Sequence, residues 1–141
     1  MFESASGRLV AAGVNRVVPT SCSVAHAEMM ALMAAQRVVG SHDLGGAGMP
    51  VYELVTSVEP CAMCFGAIPW SGVRSVVCGA TDDDARAIGF DEGPKLADWV
   101  AALTSRGISV HCGVARDAAK AVLLDYQREG GPIYNGRGGD S

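Results

Sequence analysis

The 141-residue sequence predicts a single α/β domain, residues 1–141, on a largely parallel sheet. Three observations carry that expectation. Segments rich in β-branched residues alternate with segments of good helix formers. Hydrophobic residues make up 49% of the chain, enough to bury a real core at this length. No internal repeat interrupts the pattern, and the sole low-complexity stretch is the glycine-rich end YNGRGGDS.

Taken in order, RLVAAGVNRVV (8–18) reads as a strand entered from a turn at Gly7. AHAEMMALMAAQRVVG (25–40) reads as a helix stopped by Gly40. SHDLGGAGMP is a loop and VYELVTSV (51–58) a second strand. Pro60 is suited to the first position of a helix over CAMCFGAI (61–68). VRSVVCGA (73–80) is a third strand, rich in β-branched residues. TDDDARAIGFDEGP (81–94) reads as a long acidic loop. LADWVAALTSRG gives a helix ending at Gly107, ISVHCGV a fourth strand and ARDAAKAVLLDYQREGG a last helix.

Charge and composition exclude several functions. A formal charge of −4 argues against a polyanion as the main partner, because nucleic-acid binders carry a basic footprint. No apolar run reaches the ~18 residues of a membrane span, and the first residues lack the pattern of a secretory signal. The expected location is the cytoplasm, with no membrane partner. Five cysteines cannot all pair internally, so reduced thiols or metal ligands are expected. Cys22, Cys78 and Cys112 sit alone among apolar neighbours and read as buried, inert thiols.

Cys61 and Cys64 differ, because positions i and i+3 share a helix face. In a helix's first turn, free N–H groups and the dipole favour the thiolate, the form that binds metal. A redox pair shares this geometry, though its usual context lies near the N-terminus. A structural zinc clip needs a fourth ligand, and Cys22, His42 and His111 lack ligand spacing to a partner. His26 opens the preceding helix, with Glu28 two positions on. His26, Cys61 and Cys64 supply one nitrogen and two sulfurs, leaving a fourth tetrahedral corner for water, as in catalytic zinc sites.

H-A-E followed by P-C-x-x-C is the signature of zinc-dependent nucleobase deaminases. In that reading zinc lowers the pKa of water from ~15.7 to about 7, and the hydroxide attacks a ring carbon bearing an amine. Glu28 shuttles the proton and need not touch the metal; its bland alternative is a favourable charge at a helix start.

HAEMMAL and EPCAMCFGAIPWSGV resemble the cytidine deaminase superfamily, and AAGVNRVV with AIGFDEGP resembles the bacterial guanine deaminases within it. The resemblance implies a three-layer α/β/α fold with a mixed, mostly parallel sheet. Members normally begin with a helix and a strand bearing a Pro-Phe-Gly-like motif. This chain starts at Met1-Phe2-Glu3, so the first helix and part of the first strand are expected to be lacking. The resemblance also makes Asn15 a hydrogen-bonding partner of the purine. Glu92, with Asp91 as second choice, becomes the carboxylate near the substrate amine, and Trp70 an aromatic near the pocket. It further implies a homodimer, with residues 130–141 as a crossing or flexible tail and Tyr134 and Asn135 reaching a neighbour's pocket.

The expected function is zinc-dependent deamination of guanine to xanthine and ammonia. The alternatives are a deaminase of adenosine in tRNA or of another aminated heterocycle and, in a different class, an inactive zinc-stabilised dimerisation domain.

Overall fold

The computed structural model describes residues 1–135. Five strands form one mixed sheet in the order β2-β1-β3-β4-β5. β1 (Phe2–Glu3) and β2 (Arg8–Leu9) make a short hairpin whose turn ends at Gly7, where a φ of 68° suits glycine. β1 also pairs antiparallel with β3 (Tyr52–Val58). β3, β4 (Ser75–Ala80) and β5 (Ser109–His111) run parallel, with Leu54 opposite Val76 and Val77 opposite His111.

β4 is apolar almost throughout because both of its faces are covered, as parallel strands require. One face carries Val76 and Cys78 into a core with Leu54, Leu32, Ile68 and Leu103. Those last three come from α2 (Ala27–Val39), α3 (Ala62–Ser71) and α5 (Trp99–Thr104). On the other face Gly79 lets α6 (Arg116–Arg128) approach so closely that an added Cβ would lie 2.8 Å from that of Ala119. The result is the expected three-layer α/β/α arrangement. Leu54 is 1% exposed, so Leu54→Ala would cost about 2–5 kcal/mol. The α6 layer is thinner, for no α6 residue is fully buried.

Three elements differ from expectation. Segment 8–18 is strand only at Arg8–Leu9 and ends in α1 (Val17–Thr20). The chain leaves the sheet after Leu9, and at Gly13 it crosses the start of α2. A Cβ on Gly13 would sit 2.3 Å from the Ala27 carbonyl oxygen. The expected acidic loop opens with a helix, α4 (Asp82–Ala87). Thr81 and Asp84 form a reciprocal capping box, and three aspartates in the first turn favour the positive end of the dipole. Finally, α3 runs three residues beyond Ile68, through Pro69, and Pro60 precedes its N-cap instead of opening it.

α4 is then fixed to α6 by charge. The buried Asp84 carboxylate meets the Arg116 guanidinium at 2.8 Å and the Lys120 ammonium at 3.3 Å. The Arg116 hydrogen bond holds Asp84 well below the usual carboxylate range. Among the described residues no helix is long and apolar enough to cross a membrane.

Candidate metal centre and active site

The ends of two helices create the site. His26 is the N-cap of α2 and Cys61 the N-cap of α3, both in extended backbone conformation. Cys64 lies one turn further along α3 and is buried. An N-cap side chain projects beside the free N–H groups of the first turn, so both helix starts favour an anionic ligand set.

The His26 Nδ1 and Cys61 Sγ atoms lie 3.5 Å apart. Donor atoms of His26, Cys61 and Cys64 all fall within 4.8 Å of one another. Tetrahedral zinc with Zn–S of ~2.3 Å and Zn–N of ~2.0 Å separates neighbouring donors by roughly 3.5–3.8 Å, so the residues fit that ion. Among the described residues no fourth protein ligand joins the cluster.

The electrostatics agree. A hydrogen bond from Cys64, reinforced by His26, holds the Cys61 thiol down to about 4, so it is a thiolate at neutral pH. Cys64 is pushed far up by the same hydrogen bond and by burial. The hydrogen bond with Cys61 raises His26 above its ordinary value.

Glu28, in the first turn of α2, lines the same cavity as His26 and Cys61. Burial pushes its carboxyl above the ordinary value. That cavity measures about 590 Å³, within the range that small molecules occupy. A second, more apolar cavity of about 860 Å³ shares Glu28 and Tyr134 and includes Asn15.

Residues 88–95 form a strap over the opening. The Ala62 N–H, left free at the start of α3, donates to the Glu92 carbonyl at 2.9 Å. Burial pushes the Glu92 carboxyl up to about 7, and its side chain faces the cavity. Asp91 is occupied locally, because its Oδ1 accepts from the Gly93 N–H at 2.9 Å and from Arg86 at 3.5 Å. Both carboxylates line the cavity, and Glu92 is the more buried of the two.

The end of the described chain closes the other side. Tyr134 stands edge-on to His26 with ring centroids 6.1 Å apart, and to Phe90 at 5.7 Å. Asn15 donates from Nδ2 to the Tyr134 hydroxyl, while its Oδ1 accepts from the Val17 N–H at 3.1 Å. Asn135 accepts from the Asp91 N–H at 2.8 Å and donates to the Gly89 carbonyl at 3.0 Å. Tyr134 and Asn135 both line the cavity. Residues 136–141 of the expected tail lie outside the described residues.

Trp70 does not join the site. It stands near the end of α3, 86% exposed, and lines neither cavity. Cys78 is buried as expected, whereas Cys22 and Cys112 are exposed. Sequence reasoning overlooked Phe90, an aromatic inside the G-F-D segment already singled out, and Lys95, which no local pattern marks.

Comparison with known proteins gives concordant matches. Residues 2–80 match the family model of the cytidine and deoxycytidylate deaminase zinc-binding region. A guanine deaminase of Bacillus subtilis (strain 168) is 38% identical over 86 residues, which are 61% of this chain and 52% of that protein. The chain thus spans about half the length of that curated relative. A tRNA-specific adenosine deaminase of Agrobacterium fabrum is 28% identical over 123 residues, 87% of this chain and 75% of that protein. The solved structure of a guanine deaminase from Nitrosomonas europaea is 57% identical, with a TM-score of 0.89, covering 90% of this chain and 70% of that one.

Proposed function

This chain belongs to the cytidine and deoxycytidylate deaminase zinc-binding family, and from that premise we propose that it hydrolyses guanine to xanthine and ammonia. The observation that carries the reading is the convergence of His26, Cys61 and Cys64 at one point, with Glu28 on the wall of the same cavity. Guanine is favoured over adenosine in tRNA by 57% identity to the Nitrosomonas europaea guanine deaminase, against 28% and 38% to tRNA-specific adenosine deaminases of Agrobacterium fabrum and Bacillus subtilis. The net charge of −4 supports the same choice.

His26, Cys61 and Cys64 would hold zinc. When bound, zinc is a Lewis acid that makes water a competent nucleophile at neutral pH. The chain's own groups do the rest. Glu28 takes a proton from the attacking water and delivers it to guanine N3, beside the amine-bearing C2. The second water proton, carried by Glu28 from the hydroxyl now on C2 to the amine, lets the C2–N bond break and ammonia depart, and the oxygen stays on C2 as the new carbonyl. Glu92 accepts a hydrogen bond from the exocyclic amine and orients it. The Asn15 amide, which can both donate and accept, reads the purine edge. Phe90 and Tyr134 provide aromatic walls that exclude water.

The molecule acts as one deaminase domain in a reducing compartment such as the cytoplasm, consistent with two exposed free thiols. A second copy of the chain is the partner that would cover the exposed Trp70. Ammonia release from zinc-loaded protein should be measured with guanine, adenine, cytosine and adenosine. Turnover of guanine above the others is expected; release from another heterocycle and none from guanine would overturn the assignment.

A further inference from the structure

Lys95 is a buried cation outside the reaction just described. Its side chain is 5% exposed. The ammonium has three N–H donors and three oxygen partners: Glu59 Oε2 at 3.4 Å, the Pro60 carbonyl at 3.1 Å, and Asp82 Oδ1. It also lies 4.7 Å from the centroid of the Trp99 ring. No donor is left for a ligand, so its work is internal.

The partners sit at the junctions that build the active site. Pro60 immediately precedes the ligand Cys61, and Glu59 bridges the end of β3 to α3. Asp82 starts α4, and its N–H donates to the Glu59 carboxylate at 3.3 Å. Lys95 itself belongs to the strap, three residues after Glu92, and its N–H donates to the Gly93 carbonyl at 2.9 Å. Glu92 hangs between two attachments: its own carbonyl on the Ala62 N–H, and Lys95 on the Pro60 carbonyl. The fit is close, since a Cβ on Gly93 would lie 3.1 Å from that of Ala62.

We propose that Lys95 is a positioning residue for the deamination: by binding the Pro60 carbonyl, Glu59 and Asp82, its ammonium locks the 88–95 strap so that the Glu92 carboxylate is held in the cavity beside Cys61. Without it, the strap keeps a single backbone bond to α3, and the carboxylate that orients the substrate amine drifts. The kinetic consequence rests on the guanine reading; the locking of the strap does not.

The test uses zinc-loaded protein carrying Lys95→Met, which keeps an apolar stem over Trp99. Lys95→Met combined with Asp82→Asn is the second variant, because it removes a carboxylate left uncompensated and so guards against loss of folding. Hydrogen exchange at the Ala62 amide should accelerate at least about tenfold, with Leu54 and Val76 unchanged. The specificity constant for guanine should fall about 100-fold, as small displacements of aligned groups do. Added to Glu92→Gln, the Lys95 change should cost no more than about threefold further, since the two act through one carboxylate. An Ala62 amide as protected as in the wild type, or losses that multiply, would overturn the proposal. Should the wild type not turn over guanine, the functional reading fails, and the exchange measurement alone decides the role of Lys95.

Discussion

His26 and Cys61, 35 positions apart in the chain, cap two different helices and bring Nδ1 and Sγ to 3.5 Å. Each helix start directs its cap residue toward the other, and Cys64 joins from the next turn of α3. The ligand set is therefore imposed by helix placement. A thiol held down to about 4 at Cys61 means that one anionic donor is ready at neutral pH.

The first prediction concerns the metal. Purified protein should contain one zinc per chain by elemental analysis. His26→Ala, Cys61→Ala and Cys64→Ala should each lose it on gel filtration. Cys22→Ala, at an exposed thiol outside the cluster, should keep it. Chelation should lower the melting temperature of the wild type, because binding energy at a site present only in the fold is folding energy.

Glu28 separates chemistry from metal binding. It lies two residues after His26, yet it is not among the three clustered donors. Glu28→Gln preserves shape and removes the proton carrier. Zinc content should be unchanged while kcat falls by about 10²–10⁴-fold, the usual contribution of a general acid–base. Normal turnover in zinc-loaded Glu28→Gln protein would remove Glu28 from the mechanism.

What could be read from the sequence follows the range of the interactions. The clustering of His26, Cys61 and Cys64 was legible because H-A-E and P-C-x-x-C encode local geometry: a cap residue, and a partner one turn on. The strand-helix alternation was legible for the same reason. Segment 8–18 was misread because its apolar pattern suits an extended chain inside or outside a sheet; Gly13, packed on α2, was the clue. α4 was missed because aspartate density suggested a loop, although T-D-D-D is a capping sequence. Trp70 was misplaced because α3 is apolar on every side, and composition cannot say which side meets the cavity. Lys95 was invisible, since its partners come from two segments distant from it in the chain, Glu59–Pro60 and Asp82.

If Glu92 orients the substrate amine as proposed, it should give the reaction an acid limb. Burial raises its carboxyl to about 7, and only the ionised form accepts a hydrogen bond from the substrate amine. Activity should therefore rise as pH increases through about 7, and Glu92→Gln should flatten that limb while lowering the plateau. The stability effect has the opposite sign. The folded state holds this proton more tightly than an unfolded glutamate of pKa ~4.3, so the contribution of Glu92 to stability falls as pH rises from there to about 7. Melting curves should show the wild type losing ground to Glu92→Gln across that window.

Gly13 joins the fold to the pocket. Its Cα faces the first turns of α2 so closely that an alanine Cβ would lie 2.3 Å from the Ala27 carbonyl oxygen and 2.4 Å from the Ala31 nitrogen. Neither backbone atom can yield without shifting the helix that carries His26 and Glu28. The alternative is for segment 10–16 to move, taking Asn15 from its contacts with Tyr134 and the Val17 N–H. Gly13→Ala should cost about 1–3 kcal/mol in thermal or denaturant unfolding, the range for overpacking. If the segment moves, loss of the proposed Asn15 hydrogen bond to the base should raise KM for guanine roughly tenfold, near the worth of one such bond. If the helix moves instead, kcat and zinc retention should fall together. A Gly13→Ala protein as stable and as active as the wild type would show that this close approach is not what holds Asn15 beside the cavity.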